Sequence, residues 1–248
     1  MNSKIKFLFL GASPINDDRL RLDEEAREIE RGLDGAPHRD AFEFVTQLAI
    51  RLDDLQLALL NHAPHIVHFS GHGTEKEGIV IEDKLGNSQP IGPKTLAAIF
   101  KRLNDNIHLV VLNACFSRAQ AHAISKVVDH TIGMSSAITD DAAVAFSTSF
   151  YRMLSFGRSV KDSFELAKAA LMLPSLSEDK KPRLLVKEGV DSTRPFLAQL
   201  IPAPPPAEKE KHQPGHSSGS RGVSIGGSVT GSVIGTGDHM TVGKLPSE

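Results

Sequence analysis

The fold predicted for this chain follows from the stretch His-Leu-Val-Val-Leu-Asn-Ala-Cys-Phe-Ser-Arg, residues 108–118. Its apolar residues lead directly to Cys115, the only cysteine among the 248 residues. A short apolar run of this kind is typical of a strand that is buried on both faces of a parallel sheet. From Ser117 to Val128 apolar side chains recur at helical spacing, and Ser117 is placed to cap that helix.

Cys115 thus stands between the end of a predicted strand and the start of a predicted helix. Ligands and catalytic groups gather at this edge of open α/β sheets, and the amino terminus of a helix favours a thiolate over a thiol. We therefore expect Cys115 to act as a nucleophile. The alternative is an ordinary buried thiol, because free cysteine is among the most buried residue types.

A second candidate strand, residues 64–70, runs into Gly71-His72-Gly73. The flanking glycines allow unusual backbone angles and let a substrate chain approach closely, so His72 is not a typical core residue. If this strand and the cysteine strand are adjacent and parallel, His72 and Cys115 emerge at the same edge of the sheet. The pair would then supply a nucleophile and its base.

Strand-like and helix-like segments alternate along residues 1–200, which indicates βαβ units with right-handed crossovers. The predicted fold class is therefore α/β, a three-layer α/β/α sandwich with a mostly parallel sheet. A small hairpin is expected between Gly78 and Ile91, and an outer strand is expected at residues 183–186.

Composition changes at Ile201, where a Pro-rich and then Ser/Gly-rich segment predicts a linker over residues 201–221. Residues 222–248 alternate small polar and β-branched residues with frequent glycine, and this tail has high β-propensity. Two interpretations stay open for it. It is either a disordered end or a motif that pairs with other strands, in a homotypic tail assembly or on a sensor or scaffold protein.

The charge and cysteine content exclude several classes of protein. A net charge of -2 gives no electrostatic support for nucleic-acid binding. A single cysteine excludes an internal disulfide and fits a reducing cytosol. Neither a signal peptide nor an apolar run long enough for a membrane span is evident, so we expect a cytoplasmic protein with no membrane partner.

His-Phe-Ser-Gly-His-Gly at residues 68–73, followed by Leu-Asn-Ala-Cys at residues 112–115, resembles the CHAT branch of the caspase-like cysteine peptidases. The resemblance covers roughly residues 4–200. It implies a caspase-like sheet and a His72–Cys115 dyad, with the backbone N–H groups of Gly73 and Cys115 as the oxyanion hole. His72 would assist deprotonation of the thiol, the sulfur would attack the scissile carbonyl, and water would release the acyl-enzyme.

The same resemblance suggests substrate-binding residues. Asn113 matches a position that lines the S1 pocket in caspase-like peptidases, and its alternative role is a hydrogen bond at the strand end. The other candidates follow neighbouring strands at the same sheet edge and are Asp17, Ser135, Ser136 and Asp141. Any of the acids could select a basic P1 side chain, whereas Asp140 is better explained as a helix cap. The run Asp23-Glu24-Glu25 predicts a solvated first helical turn.

Three histidines, His65, His68 and His72, raise the question of a metal site. Strand alternation places positions 65 and 68 on opposite sides of the sheet, and no second cysteine is present. We therefore predict no metal and no cofactor. His68 is interpreted as a core histidine, and His108 as a structural residue at a strand start.

The leading interpretation is a cysteine endopeptidase of bacterial defence or programmed-death signalling, with a protein substrate and a sensor that engages the tail. The second is a catalytically weak caspase-like adaptor that is recruited through its tail. The third is a small-molecule hydrolase or thiol acyltransferase, for which no separate acid–base set is evident.

Overall fold

The computed structural model describes residues 4–200. Its strands are β1 (Ile5–Ala12), β2 (Phe42–Gln47), β3 (Ile66–Gly71), β4 (Gly73–Thr74), β5 (Gly78–Glu82), β6 (Ser88–Ile91), β7 (Leu109–Asn113), β8 (His130–Met134) and β9 (Pro182–Val186). Its helices are α1 (Leu22–Asp34), α2 (Leu52–His62), α3 (Pro93–Arg102), α4 (Arg118–Ile124), α5 (Asp140–Ser155), α6 (Val160–Ala170) and α7 (Phe196–Leu200).

The central sheet has six strands in the order β2-β1-β3-β7-β8-β9. All neighbours pair in parallel except β8 and β9, which are antiparallel at one edge. The expected hairpin is present as β5 and β6, and with β4 it forms a separate three-stranded antiparallel sheet. The prediction of a mostly parallel sheet with an outer strand at its end is confirmed.

Two hydrophobic cores lie on opposite faces of this sheet. Successive side chains of a strand point to opposite faces, so Phe7 and Phe9 pack with α1, α5 and α6, whereas Leu8 and Leu10 pack with α2, α3 and α4. The same alternation continues on β3 and β7. These helix layers and the sheet between them make the three-layer sandwich that the sequence predicts.

Two local predictions around Ser117 are wrong. The helix after the cysteine ends at Ile124, not Val128, because the chain must turn early enough to enter β8 opposite β7. Ser117 does not cap that helix with its side chain. Its hydroxyl instead donates to the Leu112 carbonyl oxygen and accepts from the Met134 amide, each at 2.9 Å, and so links the ends of β7 and β8.

The predicted linker at residues 201–221 and the predicted tail at residues 222–248 lie outside the described residues. Within residues 4–200, no helix combines the length and the apolar character that crossing a bilayer requires.

Candidate active site

The two motif strands are neighbours. β3 and β7 pair in parallel, with Ser70 directly opposite Asn113 in the register. His72 follows Ser70 by two residues, and Cys115 follows Asn113 by two residues. The sheet therefore delivers the imidazole and the thiol at the same edge, on adjacent strand ends.

His72 and Cys115 line one cleft of about 40 Å³. Its floor is made by Ser70, Gly71, Asn113 and Ala114, at the ends of the two strands. Its walls come from the start of α1 on one side and of α5 on the other: Leu20, Arg21, Leu22, Glu25, Ile138, Asp140, Ala143 and Val144. The cleft has room for small molecules of solvent, and a peptide side chain requires it to widen.

The turn that carries Cys115 has a special backbone conformation. Phe116, the next residue, has φ of 55°, which is the left-handed region that non-glycine residues seldom adopt. The sharp turn lets the chain leave β7 and enter α4 within four residues. Strain of this kind gathers at functional sites, where the surrounding structure maintains it.

The backbone orients the imidazole of His72. Its Nε2 lies 2.6 Å from the carbonyl oxygen of Asp18. A carbonyl oxygen only accepts hydrogen bonds, so Nε2 carries the proton and Nδ1 of the neutral ring is the atom that can take one up. The loop between β1 and α1 thus fixes the tautomer that a general base needs.

The Cys115 sulfur contacts the segment that leads into α5. The Ile138 amide donates to Sγ at 3.4 Å, and the thiol lies 3.7 Å from the Ile138 carbonyl oxygen. The described residues contain no hydrogen bond between the thiol and the His72 imidazole. Catalytic hydrogen bonds are often long in unliganded enzymes and tighten only when substrate binds.

Glu25 is the charged group that the sequence analysis missed. Only 2% of its surface is exposed, so the prediction of a solvated turn is wrong at this position. Oε2 accepts from Ser70 Oγ at 2.5 Å, and Oε1 accepts from Asn113 Nδ2 at 2.6 Å and from Ser147 Oγ at 2.7 Å. His68 Nε2 lies 3.1 Å from Oε1.

Glu25 is ionised in this setting. Burial by itself would raise the pKa of Glu25, but the electrostatic interaction with the His68 imidazole and the hydrogen bonds to the carboxylate outweigh burial and hold the pKa below its ordinary value. His68 is fully buried, as expected for a core histidine, and its Nδ1 lies 3.0 Å from Tyr151 Oη. Burial and the nearby Glu25 charge raise the pKa of Tyr151 well above its ordinary value, so it stays a neutral phenol.

Arg21 connects the two walls at the mouth of the cleft. Its guanidinium donates to the Asp141 carboxylate and lies 4.0 Å from Asp140 and 3.1 Å from Glu24. The hydrogen bond to Asp141 and the charges of these carboxylates raise the pKa of Arg21. Asp140 lines the cleft itself, whereas the Asp141 side chain is 73% exposed and touches the cleft only through Arg21.

The other predicted substrate-binding residues lie in different places. Asn113 is on the cleft floor, but its amide nitrogen is engaged with Glu25, and its buried amide oxygen has no hydrogen-bond partner among the described residues. Asp17 hydrogen-bonds to Ser88 and lines an adjacent groove. Ser135 bonds to the Lys181 carbonyl, and the Ser136 carbonyl accepts from the Phe116 amide. Neither serine lines the cleft.

His65 and His108 have structural partners. The Lys6 amide donates to His65 Nδ1 at 3.0 Å, and His108 Nδ1 lies 2.7 Å from Asp129. His65 and His68 occupy different environments, one half-buried and one in the core.

A mostly parallel α/β/α sandwich with a Gly-His-Gly turn and an Ala-Cys turn on adjacent strand ends defines a caspase-like domain. The family model of the CHAT domain matches residues 16–214. The chain belongs to the CHAT domain family.

Two curated relatives carry protease names. A probable protease of Gillisia limnaea is 29% identical over 149 residues, which are 59% of this chain and 26% of that protein. A Roc-COR-CHAT protease of an unknown prokaryotic organism is 29% identical over 156 residues, which are 60% of this chain and 15% of that protein. The chain thus spans about a quarter or less of the length of these relatives.

Among solved structures, the Arg-specific cysteine proteinase gingipain R is similar in fold. It superposes with a TM-score of 0.53 at 11% sequence identity, over 76% of this chain and 47% of that one. At this identity the similarity concerns the fold alone.

Proposed function

We propose that this chain is a cysteine endopeptidase with His72 and Cys115 as its catalytic dyad. The observation that carries the proposal is that both residues line one cleft, at the ends of adjacent parallel strands. Membership of the CHAT family and the protease names of two relatives support the reaction class. The substrate is a protein chain.

In the proposed mechanism His72 Nδ1 takes the thiol proton, because Nε2 is committed to Asp18. The Cys115 sulfur attacks the scissile carbonyl carbon, and the imidazolium returns its proton to the leaving amine. Water then attacks the thioester carbonyl carbon while His72 accepts a proton from that water. The carbon–sulfur bond breaks, the new carboxyl terminus leaves, and the imidazolium returns its proton to the Cys115 thiolate. The thiol must first leave its contact with Ile138.

The backbone amides of Gly73 and Cys115 are proposed to stabilise the oxyanion. The close approach of the Gly73 and Cys115 backbones supports this role, because a Cβ built at position 73 would lie 3.1 Å from the Cys115 amide nitrogen. Preorganised donors of this kind are typically worth about 3 kcal/mol in the transition state. Asn113 is proposed to contribute its unpartnered amide oxygen to the S1 pocket.

We also propose a biological setting, a cytoplasmic effector of bacterial defence or programmed death that a sensor or scaffold recruits through residues 222–248. Residues 1–200 are proposed as the peptidase domain and residues 201–221 as the linker. The second candidate function, a catalytically weak adaptor, is favoured by the small volume of the cleft and by the engagement of the thiol with Ile138.

The test is a proteome-wide search for new amino termini in cells that express the wild-type chain or Cys115→Ala. Endopeptidase activity predicts a set of new termini that depends on Cys115. An adaptor predicts the same termini in both cultures. Folded protein and equal expression of the two chains are verified first, by thermal melting and by immunoblotting.

A further inference from the structure

The Glu25 carboxylate joins the two strands that carry the dyad. Ser70 on β3 and Asn113 on β7 are directly opposite in the register, and their side chains donate to different oxygens of this one carboxylate. Helix α1 therefore places the Glu25 carboxylate between β3 and β7 at Ser70 and Asn113, the last pair in their register. His72 and Cys115 follow this pair by two residues. Side chains two residues apart share a face of an extended strand.

We infer that Glu25 is a positioning residue for the dyad. Its carboxylate fixes the separation and direction of Ser70 and Asn113, and through them the separation of His72 and Cys115 two residues farther on. The inference rests on the proposed function, since it matters for catalysis only if these two residues react together.

Direct recognition of a substrate cation is the main alternative role for Glu25. The contacts oppose it. Oε1 already has Asn113, Ser147 and His68 around it, and Oε2 accepts from Ser70. Glu25 is 2% exposed, so a substrate cation could reach its carboxylate only by displacing these partners. A partly exposed carboxylate that lines the cleft, such as Asp140, is better placed to meet a cation.

A purely structural role for Glu25 is the second alternative, and the hydrogen-bond network offers a matched pair of variants to test it. Ser70 and Ser147 both donate to Glu25 through buried hydroxyls, at 2.5 and 2.7 Å. Only Ser70 leads directly into a dyad residue, because Ser147 lies in the middle of α5. If Glu25 positions the dyad, loss of the Ser70 hydroxyl should affect Cys115 more than loss of the Ser147 hydroxyl. If Glu25 only anchors α1, the two losses should have similar effects.

The experiment measures the rate of Cys115 alkylation by iodoacetamide between about pH 5 and pH 9, a range that spans the titration of a free imidazole and a free thiol. It uses the full chain and the variants Glu25→Gln, Ser70→Ala, Ser147→Ala and His72→Ala. The exposed Glu30 on the same helix supplies a control, Glu30→Gln. Cys115 is the only cysteine, so the reaction has one thiol site.

We expect Glu25→Gln and Ser70→Ala to alkylate at least about tenfold more slowly at pH 7, the order that misplacement of a catalytic group produces. Their pH profiles move toward that of His72→Ala, whereas Ser147→Ala and Glu30→Gln keep the wild-type profile. The slowing of alkylation distinguishes lost positioning from a simple change of charge. Loss of a negative charge from a cleft shared with Arg21, Asp140 and His72 would by electrostatics alone favour the thiolate and speed the reaction.

A folded Glu25→Gln variant with the wild-type profile would overturn the inference, and so would equal shifts in Ser70→Ala and Ser147→Ala. If Glu25→Gln does not fold, the comparison of Ser70→Ala with Ser147→Ala tests the inference. If His72→Ala alkylates like wild type, the dyad itself is refuted and the proposed function fails with it. That outcome is separate from a failure confined to Glu25.

Discussion

The backbone of Gly73 packs directly against the backbone of Cys115. A Cβ built at position 73 would lie 1.9 Å from the Cys115 carbonyl oxygen and 2.9 Å from its carbonyl carbon. No side chain fits there unless the backbone moves. Glycine at this position is thus required by the close approach of the Gly73 and Cys115 backbones, whose N–H groups are the proposed oxyanion donors.

The first prediction concerns this contact. Gly73→Ala should lower the free energy of unfolding by about 1–3 kcal/mol through overpacking. It should also slow acylation of Cys115 about a hundredfold, because an oxyanion donor is displaced. Chemical denaturation and the rate of labelling by a peptide ketone measure the two effects.

Gly92→Ala is the control for Gly73→Ala. A Cβ at Gly92 meets no atom within 4 Å, and its φ of -69° suits alanine. Gly92→Ala should therefore keep the wild-type free energy of unfolding and the wild-type rate of Cys115 labelling. Normal labelling by a folded Gly73→Ala variant would show that the contact is not needed for the chemistry.

The second prediction concerns Arg21, which ties the loop before α1 to the start of α5 across the cleft mouth. Arg21→Gln should speed reaction of Cys115 with a bulky peptide ketone several-fold, because the narrow cleft opens more easily. Reaction with the small reagent iodoacetamide should stay unchanged. Arg27→Gln, which removes the exposed Arg27–Asp23 pair on the same helix, is the control. Slower reaction of Arg21→Gln with the peptide reagent would instead make Arg21 a substrate contact.

The third prediction follows from the lowered pKa of Glu25. A carboxyl whose folded pKa lies below its unfolded value of about 4.5 adds stability above that pH, and this stability is lost as pH falls through the folded pKa. Glu25→Gln should therefore be less stable than wild type by about 3 kcal/mol near pH 7, and the difference should narrow below about pH 4.5.

Urea denaturation at several pH values measures this difference. Asp54→Asn is the comparison, because Asp54 also has a lowered pKa but stands at the surface beside Arg51. Asp54→Asn should lower the free energy of unfolding much less than Glu25→Gln does, as is usual for exposed ion pairs. A stability difference for Glu25→Gln that does not vary between about pH 3 and pH 7 would contradict the third prediction.

The fourth prediction concerns domain organisation. The change of composition at Ile201 predicts that residues 1–200 fold without the segments that follow. A fragment of residues 1–200 should have the melting temperature of the full chain and the same rate of Cys115 alkylation. A fragment that fails to fold, or a thiol that becomes unreactive, would show that residues beyond 200 complete the domain.

Apolar runs alternate with amphipathic segments along the chain, and this pattern predicted the layered fold. Each apolar run suits a buried strand, and each amphipathic segment suits a helix that covers the sheet. The paired motifs around His72 and Cys115 followed, since parallel strands present their carboxyl ends at one edge. Glu25 was missed because the acidic run Asp23-Glu24-Glu25 resembles a solvated turn. Helical phase was the available signal, because position 25 lies on the face of Leu22 and Ile29.

The walls of the cleft were harder to predict than the adjacency of the two motif strands. Ser135 and Ser136 follow β8 in sequence, but Ser135 is drawn to Lys181 by the antiparallel pairing of β8 with β9. The wall comes instead from Ile138, Ala143 and Val144, at and before the start of α5. Which side chains of a loop face a cleft depends on tertiary pairing, and one sequence alone does not encode that pairing locally.

Activation of Cys115 by His72 can be measured by labelling the full chain with a thiol-reactive peptide ketone and comparing wild type with His72→Ala. A catalytic dyad predicts modification of Cys115 in the wild-type chain, and loss of that modification in a His72→Ala variant that melts at the wild-type temperature. Equal labelling of two folded proteins would contradict it.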